Sequence, residues 1–116
     1  AIETEMGYGN WLHGEAVAAG TVMALHMSQQ LGWITDEAFR RAVALLKQAK
    51  LPVVPPACMQ AADFLRHMAV DKKALDGQIR LVLLERIGKA LVTADYPAAL
   101  LAEALQADYE TLTAAC

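Results

Sequence analysis

Between Asn10 and Gly32 the chain places small or apolar residues at Leu12, Ala16, Ala19, Met23 and Met27. Steps of three and four residues put these on one face of an α-helix of about five turns. Asn10 is a favourable N-cap and Gly32 a favourable C-terminal stop, so both ends carry signals. From Ala16 to Leu31 no residue is formally charged, and His26, Ser28, Gln29 and Gln30 are the main polar interruptions. A bilayer span needs about 20 predominantly apolar residues, so this run reads as a helix of a protein core and predicts no membrane crossing.

The other segments are arranged around that helix. Ala1 to Met6 is helix-compatible, and Gly7 and Gly9 on either side of Tyr8 break it. Thr35 or Asp36 can cap a helix whose buried stripe is Phe39, Val43 and Leu46, with Leu45 at its margin. Leu51 to Pro56, with three prolines in six residues, is an extended connector. A short helix over Met59 to Met68 turns Phe64, Leu65 and Met68 inward. Asp71 to Gly77 is a charged turn, Ile79 to Leu84 the best strand, and Ala90 to Thr93 its hairpin partner after a turn at Gly88. Pro97 suits the first turn of a last helix reaching about Thr113, striped by Leu100, Leu101, Leu105, Tyr109 and Leu112. The fold class expected is mainly α, a helical bundle with one small β-hairpin forming a single domain over residues 1–116. No βαβ unit and no glycine-rich phosphate loop is present.

With 116 residues, 56% hydrophobic and 20% charged, the chain can bury a core of its own. Its net charge of -3 and pI near 5.5, with no basic stripe, argue against nucleic acid as a partner. Cys58 and Cys116 are too few and too far apart for a disulfide framework or a CxxC site, and read as reduced thiols of a cytoplasmic protein. The first residues lack an initiator Met and the layout of a signal peptide, and read as the interior of a longer chain.

Three histidines and a lysine pair could carry chemistry. With Asn10 as N-cap, His13 falls at the third helical position, near free backbone N–H groups and the positive end of the helix dipole. That setting favours neutral imidazole, the form a metal requires. Gly14, Ala16, Ala18, Ala19 and Gly20 keep the surface beside it low. Taken alone, His13 reads more readily as a capped, hydrogen-bonded histidine than as a ligand. Glu15, two positions on and about 200° around the axis, cannot share a metal with it and is expected to complement the helix start. His26 lies about three turns away and is read as a surface or packing residue. His67 is read as polar helix surface, with a site-lining role as the alternative. Lys72 and Lys73, between helix and strand, can offer ammonium groups to a carboxylate or phosphate, or form a solvated charge run. Met23, Met27, Met59 and Met68 read as core filler.

The string A-I-E-x-E at the start, then GNWLHGEAVAAG, then DKK followed by a glycine, an apolar strand and IG, resembles the C-terminal domain of the 3-dehydroquinate synthase family over the whole chain. The resemblance implies conversion of 3-deoxy-D-arabino-heptulosonate 7-phosphate to 3-dehydroquinate and phosphate in the shikimate route. It implies an NAD recycled within each turnover and a divalent metal, zinc or cobalt. It implies that His13 is one of the family's metal ligands, two histidines and a glutamate, and that Lys72 or Lys73 contacts substrate; no catalytic role passes to Glu15. The family's GHxxGH run, its metal-binding glutamate and its N-terminal NAD-binding domain lie outside this sequence. The chain by itself is therefore expected to be inactive and to bind neither NAD nor zinc tightly, since catalytic zinc normally keeps three protein ligands. A homodimer is expected of the complete enzyme, and no nucleic-acid or membrane partner. The alternatives are a related sugar phosphate cyclase with another substrate, or a helical binding module that has lost the reaction.

Overall fold

A computed structural model describes residues 1–7, 10–69 and 79–116. Its elements are α1 (Ile2–Met6), α2 (His13–Gln30), α3 (Asp36–Gln48), α4 (Ala61–Ala69), β1 (Leu81–Arg86), β2 (Lys89–Thr93), α5 (Ala98–Gln106) and α6 (Tyr109–Thr113). The mainly helical class with a single hairpin is as the sequence pattern predicts.

The apolar run becomes the helix around which the rest is built. α1, α3, α5 and β1 all pack on α2. Along its C-terminal half Val22, Met23, Leu25, His26, Met27 and Ser28 are all buried, a nearly continuous run rather than a stripe. A helix apolar on every side has to be covered on every side, which accounts for its central position. Its N-terminal half is different, because Val17 is 51% exposed and Gly14 and Gly20 leave open space. The helix ends as expected at Gly32, whose φ of 78° lets the Trp33 N–H reach back to the Ser28 carbonyl at 3.0 Å.

Two buried clusters flank α2. One gathers Ile2, Val22, Phe39, Val43, Phe64 and Tyr109 from α1, α2, α3, α4 and α6. The other gathers Met27, Leu83, Leu101 and Ala104 between α2, the hairpin and α5. Met23, Met27 and Met59 are buried and Met68 packs at the boundary of both clusters, so the methionines do fill core. Thr35 caps α3 by accepting the Ala38 N–H at 3.0 Å. Phe39 and Val43 are buried as the stripe requires, whereas Leu45 is 63% exposed, on the far side of the helix.

β1 and β2 pair antiparallel with Leu83 opposite Leu91, turning through Gly88 at φ 92° and carrying an irregularity between Leu84 and Arg86. The first strand runs two residues later than the apolar run suggests. Leu83 is buried while Val82 and Val92 face out, so only one face of the hairpin is covered. Buried Ser28 ties the hairpin to α2: its hydroxyl donates to the Ala24 carbonyl at 2.8 Å and accepts the Leu84 N–H at 2.9 Å.

The single C-terminal helix expected from Pro97 to Thr113 is two helices. Ala107 takes an extended ψ of 148°, and the Asp108 carboxylate then caps α6, accepting the Thr111 N–H at 3.2 Å and its hydroxyl at 2.7 Å. The break turns Tyr109 into the core, where its hydroxyl donates to the Ala104 carbonyl at 2.5 Å. It also leaves Leu112 39% exposed and buries Thr113 instead. In α4 Phe64 is buried but Leu65, about 100° around the helix from it, is exposed; the Asp63 carboxylate accepts the Gln60 N–H at 2.9 Å at the start of this helix. Cys58 and Cys116 are free thiols, and no described helix is long and apolar enough to cross a membrane.

Candidate functional site

α1 and α2 meet at a turn that is built from glycine and asparagine. Gly7 has φ 82°, and the Asn10 side-chain amide donates to the Met6 carbonyl at 2.5 Å while its backbone N–H reaches the Gly7 carbonyl at 3.2 Å. Asn10 is thus committed to closing α1 and does not cap α2, a correction to the expected N-cap. Leu12 takes that position with extended backbone (φ −69°, ψ 151°), and the Glu15 carboxylate accepts its N–H at 2.9 Å. Glu15 serves the helix start, as its position suggested.

His13 consequently stands at the first position of α2, two positions earlier in the helix than the third position expected, with its side chain 80% exposed. Its Nδ1 faces the carboxylate of Glu3, 3.5 Å away, on a side chain that is 29% exposed. The two lie beside a cavity of about 420 Å³ with mainly apolar walls, bordered also by Val17, Gly20, Met23 and Arg80. A Cβ placed at Gly14 or Gly20 would meet nothing within 4 Å, so the surface beside His13 is low, as the small residues imply.

As a metal donor, His13 offers an exposed imidazole with a carboxylate behind one nitrogen, which fits a single ligand of a shared set. Among the described residues no group of three His, Cys, Asp or Glu could hold an ion. Lys72 and Lys73 lie outside the described residues.

The other two histidines are brought into the structure, not into this site. His26 is buried between Phe39 and Tyr109, with edge-on rings at centroid distances of 6.2 and 5.6 Å, and its Nδ1 has no hydrogen-bond partner among the described residues. Burial lowers its pKa, partly opposed by a hydrogen bond with Gln29. His67 is not a surface residue, as the sequence suggested, but 19% exposed, with Nε2 2.7 Å from the Glu5 carboxylate. Arg66 donates to the same oxygen at 2.5 Å, so α4 grips α1 through Glu5. Sequence reasoning missed both Glu3 and Glu5. The available signal was the glycine directly after a short helix: Gly7, at φ 82°, ends α1, and carboxylates two positions apart on that helix face different partners.

Residues 1–74 match the family model for the C-terminal domain of 3-dehydroquinate synthase. The chain is similar to proteins named 3-dehydroquinate synthase, among them one from Pseudomonas fluorescens strain Pf-5, 62% identical over 112 residues and 97% of this chain. Those of Pseudomonas entomophila strain L48 (62% over 114 residues, 98% of this chain) and Azotobacter vinelandii strain DJ (62% over 112 residues, 97%) are alike to a similar degree. The chain spans about a third of these relatives' length: 31%, 31% and 30%. By its match over most of its length, and with the HGE segment at the start of α2, the chain belongs to the family of the 3-dehydroquinate synthase C-terminal domain.

Proposed function

We propose that this chain is the metal- and substrate-binding part of an enzyme that converts 3-deoxy-D-arabino-heptulosonate 7-phosphate to 3-dehydroquinate and phosphate, with NAD and a divalent metal, zinc or cobalt. The observation that carries the reading is the presentation of His13, which stands exposed at the first position of α2 beside the cavity, in a chain of this family.

In this reading His13 would hold the cation through one ring nitrogen, and groups outside the described residues would complete the set. A bound divalent cation supplies a polarising charge for substrate oxygens, and NAD supplies a reversible hydride acceptor. The chain's own part is positional. Glu15 fixes the first turn of α2 and so fixes where the imidazole stands. Gly14 and Gly20 leave room for substrate or a neighbouring backbone along the helix. Lys72 or Lys73 offers an ammonium group to the substrate's carboxylate or phosphate.

The chain alone is inactive in this reading and holds neither cofactor tightly, because one histidine is far from the three protein ligands a catalytic zinc keeps. The complete enzyme is a cytoplasmic homodimer with no nucleic-acid or membrane partner, in keeping with the net charge of -3.

The test exchanges the matched segment of the Pseudomonas fluorescens Pf-5 relative for this chain and follows phosphate release from the sugar phosphate. The chimera is expected to turn over, to stop when a chelator removes metal and to recover with added Zn²⁺. His13→Ala is expected to remove both turnover and bound metal. Turnover by the 116-residue chain alone, or a chimera indifferent to His13→Ala, would overturn the reading.

A further inference from the structure

One carboxylate of the site has no role so far. Glu3 sits in a five-residue helix that would be unstable alone, yet it is held on three sides. Ile2 anchors α1 in the core at 5% exposure, Glu5 is gripped by Arg66 and His67 of α4, and the Asn10 amide closes the helix end onto the turn that leads to α2. Glu3 and Glu5 are two positions apart and therefore diverge around the helix, one toward α2 and the other toward α4. The result is a bracket whose free arm presents a carboxylate to a single ring nitrogen, His13 Nδ1. Among the described residues Glu3 is the one charged group within ion-pairing distance of that imidazole.

Neutral imidazole carries its proton on one nitrogen and its lone pair on the other, and a hydrogen-bond acceptor beside Nδ1 holds the proton there. The lone pair is then on Nε2. A separation of 3.5 Å is longer than a formed hydrogen bond, and a rotation of the exposed ring can close it to about 2.8 Å. The bracket around α1 keeps the Glu3 carboxylate beside His13 Nδ1, within reach of that rotation.

We propose that Glu3 is a positioning residue for His13, whose carboxylate accepts the Nδ1–H, selects that tautomer and turns Nε2 outward as the nitrogen that meets a divalent cation. The metal half of this inference rests on the reading of His13 as a ligand; the tautomer half stands on the geometry alone.

Nitrogen NMR of the imidazoles of this chain at about pH 9, above the ordinary histidine range, separates the two halves. The signals of His13 are identified by their loss in His13→Ala. The expected result is an Nδ1–H tautomer in the unsubstituted chain, reverting in Glu3→Ala to the Nε2–H form that unpartnered histidine favours. Glu3→Gln preserves shape and an acceptor carbonyl and keeps part of the Nδ1–H population, which distinguishes loss of the acceptor from loss of the fold. In the chimera described above, where the remaining ligands are present, the zinc-binding midpoint is expected to be about tenfold higher in Glu3→Ala, the low end of the range for carboxylates behind metal-bound histidine.

A His13 tautomer that is Nε2–H from the outset, or the same in all three proteins, overturns the positioning role even if Zn²⁺ still reaches His13. A tautomer that follows Glu3, together with a Pseudomonas fluorescens Pf-5 chimera whose bound zinc is unchanged by His13→Ala, upholds the positioning role and overturns the metal reading.

Discussion

Replacing Ser28 by alanine should detach the hairpin from α2 in a measurable way. Ser28 is fully buried, and its hydroxyl is the acceptor for the Leu84 N–H at 2.9 Å. In Ser28→Ala that N–H loses its acceptor, and a buried unpaired donor costs about 1–3 kcal/mol. The bond donated to the Ala24 carbonyl costs little to lose, since that carbonyl sits inside a helix and keeps its backbone donor. Against the loss stands the better helix propensity of alanine, worth roughly 0.5 kcal/mol. The net expectation is a destabilisation of about 1–2 kcal/mol, or about 5–30-fold in the folded to unfolded ratio. Urea unfolding followed by circular dichroism would read this as a lower midpoint at unchanged slope. Hydrogen exchange should show the Leu84 amide losing protection while amides of α3 change less. A Ser28→Ala chain as stable as the original, with the Leu84 amide still protected, would refute the claim that this hydroxyl holds hairpin to helix.

Three further outcomes are expected. The pKa of His26 is lowered by burial in the folded state, so the unfolded chain binds the proton more readily, and the stability His26 provides is present above about pH 6.5 and is lost as pH falls below it; urea midpoints at pH 7.5 and 5 should converge in His26→Leu, and an unchanged pH slope would count against it. Gly20→Ala should raise stability by up to about 1 kcal/mol, because a Cβ there meets nothing within 4 Å and glycine is a poor helix former; a lower melting midpoint would contradict this. Glu5→Gln should weaken the hold of α4 on α1 by about 1 kcal/mol, a partly exposed pair being screened by solvent, and the difference should shrink in 0.5 M salt; equal loss at all salt concentrations would point to packing instead.

The site was partly legible for an identifiable reason. HGE at the start of an apolar helix can be read locally, because helix entry depends on residues within one turn, and Glu15 does reach back to the Leu12 N–H. The choice of cap was misread because Asn10 has two uses of similar worth, and the neighbouring end of α1 took it. His26 could not be assigned from sequence, since a helix face becomes core or surface only when Phe39 and Tyr109 arrive from elsewhere. His67 likewise acquired a partner 62 residues away in Glu5.

The apolar period of three and four residues determined by itself that a long helix would lie between Asn10 and Gly32, and the turn at Gly88 that a hairpin would follow; both are local consequences of side-chain spacing and backbone freedom. The A-I-E-x-E start, GNWLHGEAVAAG and DKK in that order also carried the family. Tertiary structure alone decided that Glu3 faces His13 and that Tyr109 breaks away from the preceding helix to enter the core. Those outcomes depend on which distant surfaces compete for the same apolar area and the same hydrogen-bonding groups, and that competition is settled only when the chain closes on itself.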